Sequence, residues 1–339
     1  MTFKRIASWL LTLALLLSLA ACTRKAPPSG QLTPLPTQAG ATEPAATQET
    51  TPQESSITPL LYKVTDKEGH TAWLFGSIHV GREDFYPLPA YVMNAFTEAD
   101  ALAVEADIIA FEADMSQQID AIMCLVYTDG SSIADHLSPE LYTRAVAAMT
   151  ELGSYMSLLD MYCPALWSSL IDSLLMEKME GIDINLGIDR FLLEQAKTAQ
   201  KPILEIESAK EQYEMLAGFS PELQALMLEG SLEGYDDQEA SQISINLLLK
   251  LWSTGNEELL GAYLNEEPEE PLTPEEEALY AQYNKAMITD RNIAMADYAE
   301  NALASGQEVF ICVGAAHVVG EGAMADLLTQ RGYTVEVVK

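Results

Sequence analysis

The sequence predicts an α/β (α+β) fold for residues 59–339, a mixed β-sheet flanked by many helices. Three observations predict it. A short apolar run of β character near the start of this region ends in Gly76-Ser77-Ile78-His79, and a similar run near its end closes in Gly314-Ala315-Ala316-His317. Each G-x-x-H leads into a loop, a helical stretch and a further apolar run, so one β-loop-α-β unit occurs twice. Between the two units, apolar residues recur mostly at helical spacing.

The elements follow in order. Leu60 to Asp66 and Thr71 to Phe75 flank a turn at Lys67-Glu68-Gly69-His70 and read as a β-hairpin. Pro89 to Glu98 has helical spacing, and Ala101 to Ala106 reads as a buried strand. Ser138-Pro139 opens a helix that runs to about Leu152. Further helices fit 165–179, 186–198, 208–217, 221–229, 238–253 and 273–304, the last with a break near Thr289. A short strand, Pro202 to Ile206, interrupts them. The second unit closes the chain with a strand over 308–313, a helix over 321–331 stopped by Gly332, and a strand over 334–338. Methionine and leucine stripes at helical spacing in the middle region predict core rather than a ligand groove. A glycine at each motif is expected to let the backbone turn sharply at a strand end.

The first 58 residues read as an address. Lys4 and Arg5 precede an apolar stretch from about Ile6 to Leu19, too short to span a bilayer comfortably. It closes in Leu19-Ala20-Ala21-Cys22, which resembles a bacterial lipobox. Residues 1–21 are then a lipoprotein signal peptide and Cys22 the lipid-bearing first residue of the mature chain, the alternative being an ordinary secretory signal. Residues 22–58 form a Pro/Thr/Ser-rich linker with too little apolar surface to fold. The expected location is extracytoplasmic, anchored by lipid to a bacterial membrane.

With 51 Asp and Glu against 18 Lys and Arg, the formal net charge is −33, all of it beyond the linker. Such a surface argues against nucleic acid and anionic lipid headgroups as partners. The acidic stretch from Asn256 to Glu277 lacks the Gly-punctuated Asp/Asn alternation of a calcium loop. Cys124, Cys163 and Cys312 are odd in number and widely spaced, which predicts neither a disulfide framework nor a zinc knuckle.

Two of the four histidines occupy equivalent places in the repeated unit. Emerging at a sheet rim with a nearby carboxylate, His79 and His317 compose an open metal site. Glu105 is the best carboxylate, because it interrupts an apolar strand; Asp107, two residues on, is a weaker candidate. A metal there would activate water, with a carboxylate as general base in hydrolysis. His70 and His136 read as surface residues. No G-x-S-x-G, H-E-x-x-H or P-loop occurs.

The GSIH and GAAH pair, the order of elements and the terminal GAAHVVGEGAMADLLTQRGYTVEVV resemble the TraB/PrgY/GumN family, which also contains the Tiki metalloproteases. The likeness runs from residue 60 to the end. Gly187-Ile188-Asp189 resembles the family's G-h-D helix start, Glu207 and Gln212 its L-E-x-x-x-x-Q segment, and Arg291-Asn292 its R-N pair. Ser77 stands where the family more often has Thr. The resemblance implies a site built from both G-x-x-H loops and an acidic residue. His79 and His317 would be metal ligands, and Glu105 a ligand or general base. Arg291 would pair with a carboxylate or stabilise an oxyanion. It also implies a divalent metal (manganese, cobalt or zinc) and a peptide or protein substrate. The other reading is a catalytically inert lipoprotein that sequesters a peptide, such as a pheromone.

Replacing Cys22 by Ala is expected to release the protein from the membrane fraction or leave its precursor unprocessed. Fractionation and intact mass check this; unchanged mass and membrane retention would refute the lipoprotein reading.

Overall fold

The computed structural model describes residues 55–266 and 271–339, so the signal, Cys22 and nearly all of the linker lie outside the described residues. Six strands form one mixed sheet: β1 (Leu61–Thr65), β2 (Thr71–Ser77), β3 (Ala101–Val104), β4 (Ile203–Glu205), β5 (Val309–Gly314) and β6 (Thr334–Val338). Their order is β4-β3-β5-β2-β1-β6. The first four in that row are parallel, while β1 runs antiparallel to both β2 and β6. Strands β3 and β5 read as unbroken apolar runs because both faces of a parallel sheet are covered by helices.

The hairpin forms where expected. Gly69 takes the left-handed conformation at φ +92°, and Asp66 Oδ1 accepts from the amides of Glu68 and His70. The later units differ from expectation at their ends. Strand β3 stops at Val104, so Glu105 stands just beyond it, and the last helix begins only at Met324. The expected break near Thr289 is a π-helical turn, Lys285–Thr289, between the helices Pro274–Asn284 and Asp290–Ser305.

The repeated units do not fold into matching halves of the sheet. Strands β2 and β5 lie side by side, but β5 separates β2 from β3, and β2 and β1 separate β5 from β6. What the repeat achieves is register. Ser77 pairs with Gly314, and Val104 pairs with Cys312 on one side and Glu205 on the other. The carboxyl ends of all four parallel strands therefore align, at the edge where open α/β sheets present their ligand sites.

The middle helices build apolar clusters of their own. One gathers Leu125, Leu166, Tyr213 and Leu223, and another Trp167, Met149, Ile171 and Leu228. The helix Pro164–Met176 runs between them, buried on nearly every side. Among the described residues no helix is long and apolar enough to cross a membrane.

Asp172 on that helix is buried; its Oδ2 accepts from Ser231 Oγ at 3.0 Å and its Oδ1 has no partner. Burial pushes its carboxyl from the ordinary 3.8 up to about 7, although the Ser231 bond opposes this. The folded state thus holds a proton that the unfolded chain releases near pH 4. Its contribution to stability is full below about pH 4 and lost as pH rises towards 7. Asp172→Asn should flatten that segment of the stability profile, read as melting temperature against pH.

Candidate active site

Each parallel strand delivers one functional segment to the aligned edge. Beyond β2 comes His79, beyond β3 Glu105, beyond β4 Glu207, and at the end of β5 the single helical turn Ala315–Val318 with His317. The two motif glycines are required by close approach rather than by turning, and Gly314 has an ordinary φ of −52°. A Cβ on Gly76 would fall 2.9 Å from Ala315 Cα, so the second motif's helical turn seats directly on the first motif's glycine. A Cβ on Gly314 would lie 3.3 Å from Glu105 Oε1, 3.7 Å from His79 Nε2 and 3.7 Å from His317 Cδ2. The sequence-predicted trio therefore converges on the hollow above Gly314. Two ring atoms that close to one point are separated by no more than twice that distance, so both imidazoles border one site.

The loop carrying His79 is clamped from below. Gly81 and Asp183 exchange both backbone hydrogen bonds, at 2.9 and 3.0 Å, and the Ile188 amide donates to the Ile78 carbonyl. The backbone comes so close at Gly187 that a Cβ would sit 2.6 Å from the His79 carbonyl oxygen. This brings Asp189, in the first turn of the helix Ile188–Ala199, to His79: Nδ1 donates to Oδ2 at 2.8 Å. Asp189 Oδ1 is buried without a partner. Burial lowers the pKa of His79, but Asp189 and Glu105 outweigh it, and the net direction is up.

His317 is buried, at 3% exposure, and so stands in the core rather than on an open loop as its motif suggested. Asn292 Nδ2 donates to the Gly322 carbonyl at 2.9 Å, which turns its Oδ1 towards His317. The 2.7 Å contact between Oδ1 and His317 Nδ1 then requires Nδ1 to carry the proton. Burial, helped by the Arg291 charge, pushes the His317 pKa down to about 3 against the pull of Glu105. The ring is neutral at physiological pH, with its lone pair on Nε2.

Glu105 is buried yet ionised. Its Oε1 accepts from the Gly314 amide at 2.6 Å, and its Oε2 from Arg291 Nη2 at 2.5 Å. Burial would raise its pKa, but Arg291 above all, then the two histidines and the Gly314 amide, bring it down to about 2. Arg291 also grips Glu207 through Nε and Nη2, at 2.8 to 3.1 Å, and Gln212 Nε2 donates to Glu207 at 3.1 Å. Of the two roles considered for Arg291, the structure shows carboxylate pairing.

Both imidazoles fit a metal ligand in one respect: a carboxylate or amide oxygen holds Nδ1 and leaves Nε2 open. Glu105 fits less well, since both oxygens are already engaged. Among the described residues no three His, Cys, Asp or Glu side chains form a set that could hold a metal ion.

The comparisons place this geometry in a family. The profile of the TraB/PrgY/gumN family matches residues 60–337. The chain belongs to that family. Relatives are uncharacterized YbaP proteins from Escherichia coli K12 and Shigella flexneri, each 26% identical over 257 residues, which cover 75% of this chain and 86% of theirs. No solved structure matches the chain significantly. The TraB/PrgY/gumN resemblance had marked Asp189, Glu207, Gln212 and Asn292 as motif residues without a function. The structure gives them one, as the side chains that hold His79, Arg291 and His317 in place.

The other candidates lie elsewhere. Asp107 stands outside β3, so strand alternation does not govern it; it caps the helix Ile108–Ala113 and pairs with Lys197. His70 pairs with Asp66 in the hairpin turn, and His136 stacks on Tyr127.

Arg291→Met is expected to destabilise the fold by about 3–5 kcal/mol, because Glu105 is left buried without its counter-charge. Adding Glu105→Gln should recover part of the loss, since only Glu207, which keeps its bond from Gln212, then lacks its counter-charge. Urea unfolding of the two single variants and the double variant checks this.

Proposed function

We propose that this TraB/PrgY/gumN-family protein is an extracytoplasmic, lipid-anchored, metal-dependent hydrolase acting on peptides, with its chemistry in the hollow above Gly314. The observation that carries the reading is the approach of His79 Nε2, the His317 ring and Glu105 Oε1 to the small gap above Gly314, with each imidazole held through Nδ1. The network that holds these groups contains three carboxyl groups, from Glu105, Glu207 and Asp189, against one guanidinium, an excess of negative charge that favours a divalent cation.

His79 and His317 are the residues that would hold a metal, through Nε2. When bound, a divalent metal supplies a Lewis acid and an acidified water. The chain's own groups prepare for that. Asp189 and Asn292 hold the imidazoles in the tautomer that presents a lone pair to the hollow. Glu105 holds a fixed negative charge between them, and Arg291 keeps its carboxylate from swinging or taking up a proton. Held near 2, Glu105 is a weak base, so its weight is electrostatic, through Oε1 facing the hollow.

Metal analysis of the purified protein and cleavage of a peptide library, with and without chelator, test the reading. His79→Ala should lower turnover by roughly a hundredfold or more and cost some stability, because Asp189 then loses its partner. His317→Ala should lower it as far and cost stability as well, because that ring is buried. Glu105→Gln should impair turnover or metal uptake. Peptide binding that survives all three substitutions, with no cleavage under any divalent metal, would establish the sequestering lipoprotein instead.

A further inference from the structure

Outside the helices whose methionine stripes were read as core, other methionines are exposed. Met149, Met227, Met287, Met295 and Met324 are buried, but Met115, Met123, Met156 and Met161 stand out in solvent, with Met115 70% exposed. They belong to two neighbouring segments. Met115, Ile119 and Met123 lie at i, i+4 and i+8 along one face of the helix Met115–Ile122 and the turn after it, and all three are exposed. Met156, Leu158 and Met161 belong to the turn Ser157–Met161 and the residue before it, and are likewise exposed. The segments are tied side by side: Val126 bridges to Tyr162, Tyr127 N donates to the Met161 carbonyl, and Cys163 N donates to the Leu125 carbonyl. Six large apolar side chains are therefore exposed on two adjoining segments, where a soluble surface normally scatters them singly.

The charge around them is mainly negative, and the nearby cations, Arg190 on Glu112 among them, are paired. From Glu83 to Glu177 the sequence holds a single Lys or Arg, Arg144, and that residue is paired with Asp236. Asp114 and Asp120 flank the stripe on its own helix, and Asp129 and Asp160 lie on the adjoining segments. On the helix packed beneath, Lys210 is held by Glu214. A second copy of this chain, carrying the same charge, would be repelled from such a surface. An anionic bilayer would be repelled too.

We propose that this face binds an amphipathic helix of another polypeptide, apolar on one side and basic on its flanks. A row at i, i+4 and i+8 is the ridge that fits the groove of a second helix, and flexible thioethers adapt to differing apolar sequences. Basic residues beside the partner's apolar strip meet the carboxylates that rim the patch. The stripe follows Glu105 in the chain, across the helix Ile108–Ala113. Docking goes beyond the hydrolase reading and does not depend on turnover.

The test uses the purified full chain and a fluorescent peptide of about 18 residues, built from Leu and Lys as an amphipathic helix. A second peptide carries Glu in place of Lys. The basic peptide should bind, more weakly as salt rises, and the acidic one should not. Met115→Ser/Ile119→Ser/Met123→Ser should weaken binding roughly tenfold or more with an unchanged melting temperature, since all three side chains are exposed. Met156→Ser/Leu158→Ser should weaken it through the other segment, and it decides the matter if the triple variant misfolds. No binding of the basic peptide, equal binding of both peptides, or binding indifferent to both sets of substitutions would overturn the proposal. So would self-association in sedimentation that the substitutions dissolve, which assigns the face to a second copy. Binding to neutral phosphatidylcholine vesicles instead of peptide, lost in the same variants, would assign it to lipid.

Discussion

The arrangement at the sheet edge depends on one buried cation. Arg291 reaches from the helix Asp290–Ser305 to two carboxylates, Glu105 after β3 and Glu207 after β4, and ties its Nη1 to the Met287 carbonyl in the π-helical turn. A guanidinium suits this place because its planar fork addresses two carboxylates at once, which the point charge of a lysine does not. Burying these charges is costly, and replacing them with apolar side chains would often stabilise a fold. Their presence therefore argues for what they hold in place, an ionised carboxylate fixed beside two imidazoles.

Close backbone approach is the second constraint. Ala315 lies over Gly76, His79 over Gly187, and Leu186 so near Gly81 that a Cβ there would fall 1.8 Å from its carbonyl oxygen. Trp252 seals the arrangement by donating its Nε1–H to the Gly76 carbonyl at 2.7 Å. With the backbones this close, each imidazole meets its partner at 2.7 to 2.8 Å without a long side chain to bridge the gap. The two histidines are nonetheless unlike. One donates to a carboxylate and is partly exposed, the other to an amide and is buried, so near-identical motifs occupy different electrostatic settings.

Much of the fold was legible because its signals are local. The hairpin, the strands β5 and β6, the helices that begin near 139, 165 and 221 and the interruption near Thr289 follow from alternation, capping and spacing. The helices Ile108–Ala113 and Met115–Ile122 were missed. Their signals were the aspartates at 107 and 114, which cap them, but an Asp before a short run also reads as a loop. The exposed methionines fall in segments assigned to no helix, so the core reading of the methionine stripes did not reach them.

By itself the sequence determined the element types, the pairing of two G-x-x-H motifs and the choice of His79, His317 and Glu105, because each rests on residues close together in the chain. It also fixed the charge that limits which partners the surface can meet. Only the tertiary structure decided that the repeat yields adjacent strands rather than two halves, since strand order is set by which faces the helices cover. It alone paired His79 with Asp189, His317 with Asn292 and Arg291 with two carboxylates. Those partners lie far apart in sequence, and only the aligned ends of four parallel strands bring them within hydrogen-bond reach.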